Sequence, residues 1–462
     1  MENNTQLKEM IRSMVIDVLQ GQKQDIASSR PVKPVSRNQV EPGVFDTVDE
    51  AIRAAKEAQL RFEDCTLATR EKVIADIRAA MRPRVQELAQ KTVEETGMGR
   101  VADKVLKLNL TLDKTPGVED LITECETGDN GMTLYELSAY GVIGAITPST
   151  NPAETLICNS IGMLAAGNAI FFSVHPGAKN LSRELVSELN QVIAKSIGIE
   201  NLIVTLREPS IESAQEMMLH PDVSLLVVTG GPGVVKQALQ SGKKVIGAGA
   251  GNPPAFVDET ADIKKAAQDI VLGASLDNNI LCIAEKSVVA MRQIEPQLVQ
   301  EMVKAGCVLI ENQQDIQRLV DLTVLPNGTP NKQFVGKNAS VILDAAHIPY
   351  NGDPRLIIMR TPKDHPFAVI EMLMPILPVV TVDSFDEGLE VCLMLEAGLH
   401  HTATMHSLNM ERLNCMARKM KTSIFVKNGP SYAGLGFSGE GTTTFTIATP
   451  TGESTTSARC FA

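Results

Sequence analysis

The chain has 462 residues, 44% of them hydrophobic and 21% charged, so it is long enough to form two or three domains with separate cores. Its net charge of −12 disfavours nucleic acid as a partner, because phosphate binding needs clustered lysine and arginine. No apolar run reaches the roughly 18 residues of a membrane span. The eight scattered cysteines favour reduced thiols over a disulfide framework, and no metal site is predicted. We therefore expect a cytoplasmic protein that binds neither nucleic acid nor membrane.

Residues 1–20 predict an amphipathic helix, because their apolar residues recur at a spacing of three or four along one stripe. These residues are Leu7, Met10, Ile11, Met14, Val15, Val18 and Leu19. Residues 21–45 are rich in proline, glycine and polar residues and predict a linker. A helix detached in this way either folds back on the main domain or docks on another protein, and the residues leave both readings open.

Residues 46–138 predict mainly helices, one capped by Asp46 or Thr47 and another capped by Thr69. From Gly141 onward, short apolar runs alternate with amphipathic helical patterns, and this alternation predicts an α/β fold with a doubly wound parallel sheet. The expected strands are Val142–Ile146, Ala169–Ser173, Leu202–Leu206, Leu225–Thr229 and Lys244–Ile246. A second α/β stretch follows from about 255 to 425. Thr442–Arg459 predicts an extended arm of the kind that pairs between subunits.

Three of the expected strands end in segments rich in small residues. These segments are Thr147–Pro152, Thr229–Gly233 and Gly247–Pro253. Ligands of doubly wound sheets bind at the carboxyl ends of the strands, and glycine lets the backbone approach a pyrophosphate. None of the three is a recognised phosphate-binding fingerprint, so tight turns and a nucleotide site both remain possible.

Three motifs, in order and spacing, resemble the aldehyde dehydrogenase superfamily. They are Gly251–Pro254 followed by Asp258, then Asn279–Lys286 around Cys282, then Glu371–Pro375. The resemblance covers about 46–462. Within the superfamily the chain is most similar to the CoA-acylating propionaldehyde and acetaldehyde dehydrogenases of bacterial microcompartments. The segments that carry this likeness are Glu95–Gly99, Thr115–Asp120 and Phe425–Pro430.

The resemblance implies an aldehyde dehydrogenase-like architecture and a covalent mechanism. A cofactor-binding domain is expected at 46–250, with a hairpin near 126–140, then a catalytic domain at 251–426 and a return segment with an oligomerisation arm at 427–462. Cys282 is the expected nucleophile, because hydride leaves an aldehyde only from a tetrahedral adduct and a thiolate forms one readily. Asn151 and the Cys282 backbone N–H are the expected oxyanion donors, and His401 is the expected base for the thiol of coenzyme A.

The resemblance also implies an NAD site at the strand ends, with Glu371 on the nicotinamide ribose and His175 near the adenosine ribose. The expected cofactor contacts are Thr147, Pro148, His175, Pro176, Gly177, Thr229, Gly230, Val234, Gly249, Glu371 and Leu373.

Gly247 is the informative departure from the superfamily. Hydrolytic aldehyde dehydrogenases resemble one another in a glutamate at this place, which activates water against the acyl-enzyme. Without that base, water attacks a thioester slowly, so the acyl group can pass to coenzyme A. We further expect the side-chain-free track Gly247-Ala248-Gly249-Ala250-Gly251 to leave room for a pantetheine arm.

The sequence hypothesis is thus NAD-dependent oxidation of a short aldehyde, propionaldehyde favoured, to acyl-CoA, as in propanediol degradation. The alternatives are an acetaldehyde-specific acylating enzyme, a hydrolytic aldehyde dehydrogenase and a non-catalytic microcompartment assembly protein. By the same resemblance, residues 1–20 would bind a microcompartment shell protein, and the subunit would form a homodimer or homotetramer.

Overall fold

The computed structural model describes residues 41–462. The helix predicted at 1–20, and all but the last residues of the linker predicted at 21–45, lie outside the described residues. Among the residues that are described, no helix has the length and apolar composition needed to cross a membrane.

The first half of the described chain forms a parallel sheet, a four-helix layer and a protruding hairpin. The elements are β1 (Val44–Phe45), α1 (Val48–Glu63), α2 (Leu67–Met81), α3 (Val85–Thr96), α4 (Val101–Lys114), β2 (Glu124–Gly128), β3 (Gly131–Tyr135), β4 (Val142–Ile146), α5 (Pro152–Ala165), β5 (Ala169–Ser173), α6 (Lys179–Ile197), β6 (Ile203–Leu206), α7 (Ile211–Leu219), β7 (Val223–Thr229), α8 (Pro232–Leu239) and β8 (Lys244–Ala248). The six-stranded sheet has the order β1-β6-β5-β4-β7-β8.

Every pairing in this sheet is parallel, as the sequence predicts. The chain leaves β4 towards β5 on one side and later returns to β7 on the other, so the strand order reverses at β4. Crevices for ligands open at such reversals, outside the carboxyl ends of the strands. The switch point of the first sheet therefore lies at the carboxyl ends of β4 and β7, where Thr147 follows β4 and Thr229 ends β7.

Side-chain caps explain where the first two helices begin. The Thr47 side chain accepts a hydrogen bond from the backbone N–H of Glu50, which confirms one of the two caps expected for α1. The cap of α2 is Thr66, whose side chain accepts from the N–H of Thr69. The prediction of Thr69 as the cap is wrong, because Thr69 lies in the first turn that Thr66 satisfies.

The second half forms another parallel sheet with its own core. Its elements are β9 (Pro254–Val257), α9 (Ile263–Ser275), β10 (Ser287–Met291), α10 (Glu295–Lys304), β11 (Cys307–Ile310), α11 (Gln313–Thr323), α12 (Ala339–Ala345), β12 (Leu356–Arg360), α13 (Pro366–Val369), β13 (Ile376–Val382), α14 (Phe385–Glu396), β14 (Thr402–His406), α15 (Met410–Met420) and β15 (Ile424–Lys427). The seven strands have the order β11-β12-β13-β10-β9-β14-β15, and all pairings are parallel.

Two further features, a hairpin and the C-terminal segment, lie outside the two parallel sheets. The hairpin β2–β3, predicted near 126–140, spans Glu124–Tyr135, and every residue of both strands is exposed. The C-terminal segment forms a short antiparallel pair, β16 (Ile447–Ala448) and β17 (Ser454–Thr455), and its last residues return to the first domain. Phe461 is buried there against Gly162, in the same core cluster as Ala448 and Ala458.

Candidate active site

The nucleophile predicted from the sequence follows a tight turn between α9 and β10. Asp277, Asn278 and Asn279 have φ values of 51°, 57° and 66°, and Asp and Asn are the non-glycine residues that best tolerate this left-handed region. The side-chain amide of Asn278 donates to Gly336 O at 2.8 Å, and that of Asn279 donates to Ala274 O at 2.7 Å. The turn is therefore fixed by its own side chains, and Cys282 follows it directly.

Cys282 lies at the edge of an apolar cluster between the two domains. Its neighbours Leu281 and Ile283 are buried, and Cys282 itself is half-buried. Burial and, to a smaller extent, the nearby Glu371 carboxylate together raise the pKa of the Cys282 thiol to about 12, against an opposing effect of Lys286. The resting thiol is therefore protonated at neutral pH, and the site must remove its proton before it can attack an aldehyde.

Gly251 brings the other predicted groups beside Cys282. A Cβ atom at Gly251 would lie 2.7 Å from the carbonyl oxygen of Cys282 and 2.8 Å from Cγ of the His401 ring. The backbone N–H of Gly251 donates to Oε1 of Glu371 at 3.3 Å. One glycine thus contacts the nucleophile's backbone, the predicted base and the predicted ribose ligand, and only a residue without a side chain permits this approach.

His401 is buried and neutral. Its backbone N–H donates to Oε1 of Glu396 at 2.9 Å, and Nδ1 lies 2.9 Å from the Thr402 hydroxyl. Nε2 is buried and has no partner among the described residues. Burial, together with the charge of Lys286, lowers the pKa of His401 to about 4. A neutral imidazole with one unoccupied nitrogen can accept a proton at physiological pH. His400, by contrast, is exposed.

Lys286 is a functional residue that the sequence reasoning missed. Its ammonium group donates to Leu281 O at 2.9 Å and to the backbone and side-chain oxygens of Asn279 at 2.7 and 2.6 Å. All of these acceptors are neutral, so the charge is held in place directly behind Cys282 without a bonded carboxylate. Burial lowers the pKa of Lys286 to about 8. The lysine was visible within the Cys282 motif, but a sequence does not show that its side chain points inward.

Asn151 ends the loop that follows β4 and is the N-cap residue of α5, with an exposed fraction of 8%. Its Oδ1 accepts a hydrogen bond from Lys107, and its Nδ2 donates to the Thr150 hydroxyl at 3.2 Å. The second N–H of Nδ2 has no acceptor among residues 41–462, so it is free to donate to an oxyanion.

The predicted cofactor contacts of the first domain follow four neighbouring strands. Thr147 follows β4, His175 follows β5 by two residues, Thr229 ends β7 with Gly230 next, and Gly249 follows β8. The Thr147 hydroxyl is buried without a partner in the described chain, as expected for a group that awaits a ligand. These residues therefore bring polar and small groups together at the edge of the sheet where doubly wound folds bind their ligands.

The remaining predicted contacts lie around this edge. His175 caps a short turn by accepting from the Gly177 N–H at 3.0 Å, and both residues and Pro176 are exposed. Val234 is half-buried in the first turn of α8, and Pro148 is half-buried beside Thr147. Leu373 has a φ of 53° and accepts a hydrogen bond from the Gly336 N–H through its carbonyl, so its backbone conformation is fixed.

The expectation of an open track at Gly247–Gly251 is wrong for its first two glycines. A Cβ atom at Gly247 would lie 2.9 Å from Val235, and the N–H of Gly247 donates to the Thr451 hydroxyl at 2.9 Å. At Gly249 a Cβ atom would lie 3.0 Å from Pro450. These glycines make room for the chain's own side chains rather than for a pantetheine arm, and a carboxylate side chain would not fit at Gly247 without displacing Val235.

Residues 41–462 contain no group of three or more His, Cys, Asp or Glu side chains placed to hold an ion.

Comparisons with known proteins agree with this geometry. A sequence profile of the aldehyde dehydrogenase family matches residues 19–447. Propanal dehydrogenase (CoA-propanoylating) of Salmonella typhimurium strain LT2 is 51% identical over 461 residues, which cover 100% of this chain and 97% of that protein.

Two solved structures share the fold closely. Propionaldehyde dehydrogenase of Rhodopseudomonas palustris, solved with bound CoA and an acylated cysteine, is 48% identical with a TM-score of 0.90, over 92% of this chain and 97% of that one. A propionaldehyde dehydrogenase from the fucose utilisation microcompartment of Clostridium phytofermentans is 48% identical with a TM-score of 0.89, over 91% of this chain and 97% of that one.

Proposed function

Because the chain belongs to the aldehyde dehydrogenase family, we propose that it oxidises a short aldehyde with NAD⁺ and coenzyme A to acyl-CoA, NADH and a proton. Propionaldehyde is the favoured substrate, since the Salmonella relative that matches the whole chain is a propanal dehydrogenase. The observation that carries the proposal is the contact of Gly251 with both the Cys282 backbone and the His401 ring. Because the Cys282 backbone and the His401 ring both lie against this one glycine, the contact supports their proposed roles as nucleophile and base.

The first half-reaction is acylation of Cys282. The Cys282 thiol passes its proton to solvent water, and the thiolate attacks the aldehyde carbonyl to give a tetrahedral oxyanion. Asn151 Nδ2 and the Cys282 backbone N–H donate to this oxyanion. A bound nicotinamide would supply the acceptor for the hydride that leaves the tetrahedral carbon, and Glu371 would hold the ribose of that cofactor. Loss of the hydride leaves a thioester on Cys282.

The second half-reaction transfers the acyl group. His401 takes the proton from the CoA thiol, and the resulting thiolate attacks the thioester, so that Cys282 leaves as a thiolate and acyl-CoA forms. Hydrolysis is slow by comparison, because Gly247 supplies no carboxylate to activate water. The carboxylate whose charge acts on Cys282 is that of Glu371. It accepts a hydrogen bond from the backbone N–H of Gly251.

A kinetic assay tests the proposal. Purified protein is mixed with propionaldehyde and NAD⁺, with and without CoA, and NADH is followed by its absorbance. We expect sustained turnover with CoA, a single burst of about one NADH per subunit without it, and neither in Cys282→Ala. Sustained carboxylate formation without CoA would support a hydrolytic enzyme, and activity in Cys282→Ala would refute the covalent mechanism.

The same assay separates the remaining alternatives. Acetaldehyde is compared with propionaldehyde by kcat/KM, and a preference of tenfold or more for acetaldehyde would favour the acetaldehyde-specific alternative; one methylene contributes about 1–3 kcal/mol. NADP⁺ in place of NAD⁺ tests the cofactor. A protein without any turnover would support the non-catalytic assembly role.

We further propose that residues 1–20 bring the enzyme into a bacterial microcompartment by binding a shell protein. The support is the amphipathic stripe of this segment and the microcompartment origin of the Clostridium relative. Deletion of residues 1–20 should leave the specific activity unchanged and abolish pull-down by purified shell protein. Loss of activity on deletion would instead indicate that the helix packs on the catalytic domains.

A further inference from the structure

Two lysines on one face of α4 are completely buried. Lys104 and Lys107 are separated by one helical turn, and neither side chain is exposed. Lys104 forms an ion pair with Asp277 at 3.0 Å, and Lys107 forms ion pairs with Asp277 and, at 2.9 Å, with Glu154. The two lysines thus face two carboxylates in a site shielded from water, where burial and the charge of Lys107 lower the pKa of Lys104. Such a cluster is costly to desolvate and apolar side chains would fill the space as well, so its presence points to a positional role.

The cluster connects the loop of the predicted oxyanion donor to the turn before the nucleophile. Lys104 donates to Thr150 O at 3.1 Å, and Lys107 donates to Oδ1 of Asn151. Both lysines also bind Asp277, the first of the three left-handed residues of the turn that precedes Cys282. The α4 helix therefore sets the distance between two segments that are far apart in the sequence.

The contact of Lys107 with Asn151 fixes the orientation of the amide. A side-chain amide can rotate by half a turn and exchange its oxygen and nitrogen, but an ammonium group accepts no hydrogen bond and so selects the oxygen. The NH₂ group must then point away from Lys107. The cation also polarises the amide, which makes its free N–H a stronger donor to a developing negative charge.

The charge of Lys107 persists at the pH at which the enzyme works. Burial alone would lower the pKa of Lys107, but the carboxylates of Asp277 and Glu154 outweigh it and raise the pKa above its ordinary value. The ring of Phe445, whose centroid is 6.0 Å from the Lys107 ammonium, covers the same group on the side of the apolar cluster.

We propose that Lys107 is a positioning residue for catalysis, which holds the Asn151 amide with its N–H towards the oxyanion formed at Cys282. This inference rests on the proposed function, because it needs an oxyanion at Cys282. Lys104 serves as the matched comparison: it belongs to the same buried cluster and binds the same Asp277, but it does not contact the Asn151 amide.

The test is a double-mutant cycle on the burst of NADH without CoA, which reports acylation of Cys282 alone. Lys107→Met and Lys104→Met are each measured in the wild-type and the Asn151→Ala backgrounds. We expect Lys107→Met to slow the wild-type burst about 10-fold or more, and to slow the Asn151→Ala burst less than about 2-fold, since the group it positions is gone. Lys104→Met should change the burst rate by the same factor in the wild-type and the Asn151→Ala backgrounds.

Equal slowing by Lys107→Met in both backgrounds would overturn the inference and leave Lys107 a structural residue. If Lys107→Met does not fold, the charge-balanced double variant Lys107→Met/Glu154→Gln replaces it, and Glu154→Gln is its reference. The result that is expected and the result that would overturn the inference stay the same. A wild-type protein without a burst would overturn the proposed function itself. A normal burst in Asn151→Ala would refute the role of Asn151, and with it that of Lys107, while Cys282 chemistry would stand.

Discussion

Glu371 and Lys286 act on the Cys282 thiol in opposite directions. The half-buried Glu371 carboxylate, whose pKa is raised to about 6 by desolvation, disfavours a thiolate, whereas the Lys286 ammonium favours one. Lys286 is also held by the carbonyl of Leu281, the residue before Cys282, so its charge cannot move away. At the residue scale, burial therefore keeps the Cys282 thiol protonated. A change in the charge of Glu371 or Lys286 would shift the pKa of this thiol.

His401 gives the first prediction at the residue scale. In His401→Ala, we expect the NADH burst without CoA to remain and the steady-state rate with CoA to fall about 100-fold or more, because only the second half-reaction needs this base. Rapid-mix and steady-state measurements on one preparation check it. A loss of the burst equal to the loss of turnover would place His401 in the acylation step instead.

The pH dependence follows from the same residue. The His401 pKa of about 4 lies below the ordinary value of 6.5, so the imidazole stays neutral and able to accept a proton as pH falls from 7 to 5. The wild-type rate of acyl transfer should therefore show no titration of a histidine near pH 6.5. A rate that halves near pH 6.5 would contradict the assignment of His401 as the base.

At the scale of elements, the segment around Gly251 links β8 to β9 and lies against both the Cys282 backbone and the His401 ring. In Gly251→Ala, the new methyl group would meet the backbone oxygen of Cys282, which cannot rotate away. We expect kcat/KM to fall about 100-fold, since a displacement of about 1 Å is enough for such a loss. Gly439→Ala is the control, because the nearest atom to its Cβ position is 3.6 Å away. Equal activity of both variants would show that the contact is not needed.

The sequence predicted regular elements well and buried charges poorly. The sequence predicts the strands Val142–Ile146 and Ala169–Ser173 to the residue, because each apolar run is closely preceded by a glycine and closely followed by a proline, which leaves few alternatives. The resemblance supplied Cys282 and Asn151, but it could not supply Lys107. A lysine in an amphipathic helix is normally read as exposed, and its burial here depends on Asp277, which is 170 residues distant in the sequence numbering.

At the scale of the whole molecule, the hairpin β2–β3 leaves apolar side chains in solvent. Met132, Leu134 and Tyr135 have exposed fractions of 66%, 56% and 51%. Apolar groups clustered on a projecting element are typical of a surface that a second subunit covers. This exposure supports the proposal that the protein is a homo-oligomer.

A charged side chain introduced into the β2–β3 hairpin tests whether this hairpin forms an interface between subunits. In Leu134→Asp, we expect the native complex to dissociate into smaller species, because each interface would lose about 1.5–3 kcal/mol of apolar burial and bury a carboxylate. Light scattering coupled to size-exclusion chromatography measures the mass. Leu60→Asp, at an equally exposed position on α1 (57%), should leave the mass unchanged. If the two variants behave alike, the hairpin is not the interface.

The burial of Phe461 beside Gly162 has a consequence for biosynthesis. The strands of the first domain leave the ribosome early, yet one aromatic ring that packs into their core belongs to Phe461, far along the chain from Gly162. Until Phe461 has been synthesised, this domain lacks one of its core side chains and exposes a surface that attracts other apolar segments. Its assembly therefore waits for a distant residue, and a nascent chain that stalls before Phe461 would be an inviting substrate for chaperones and proteases.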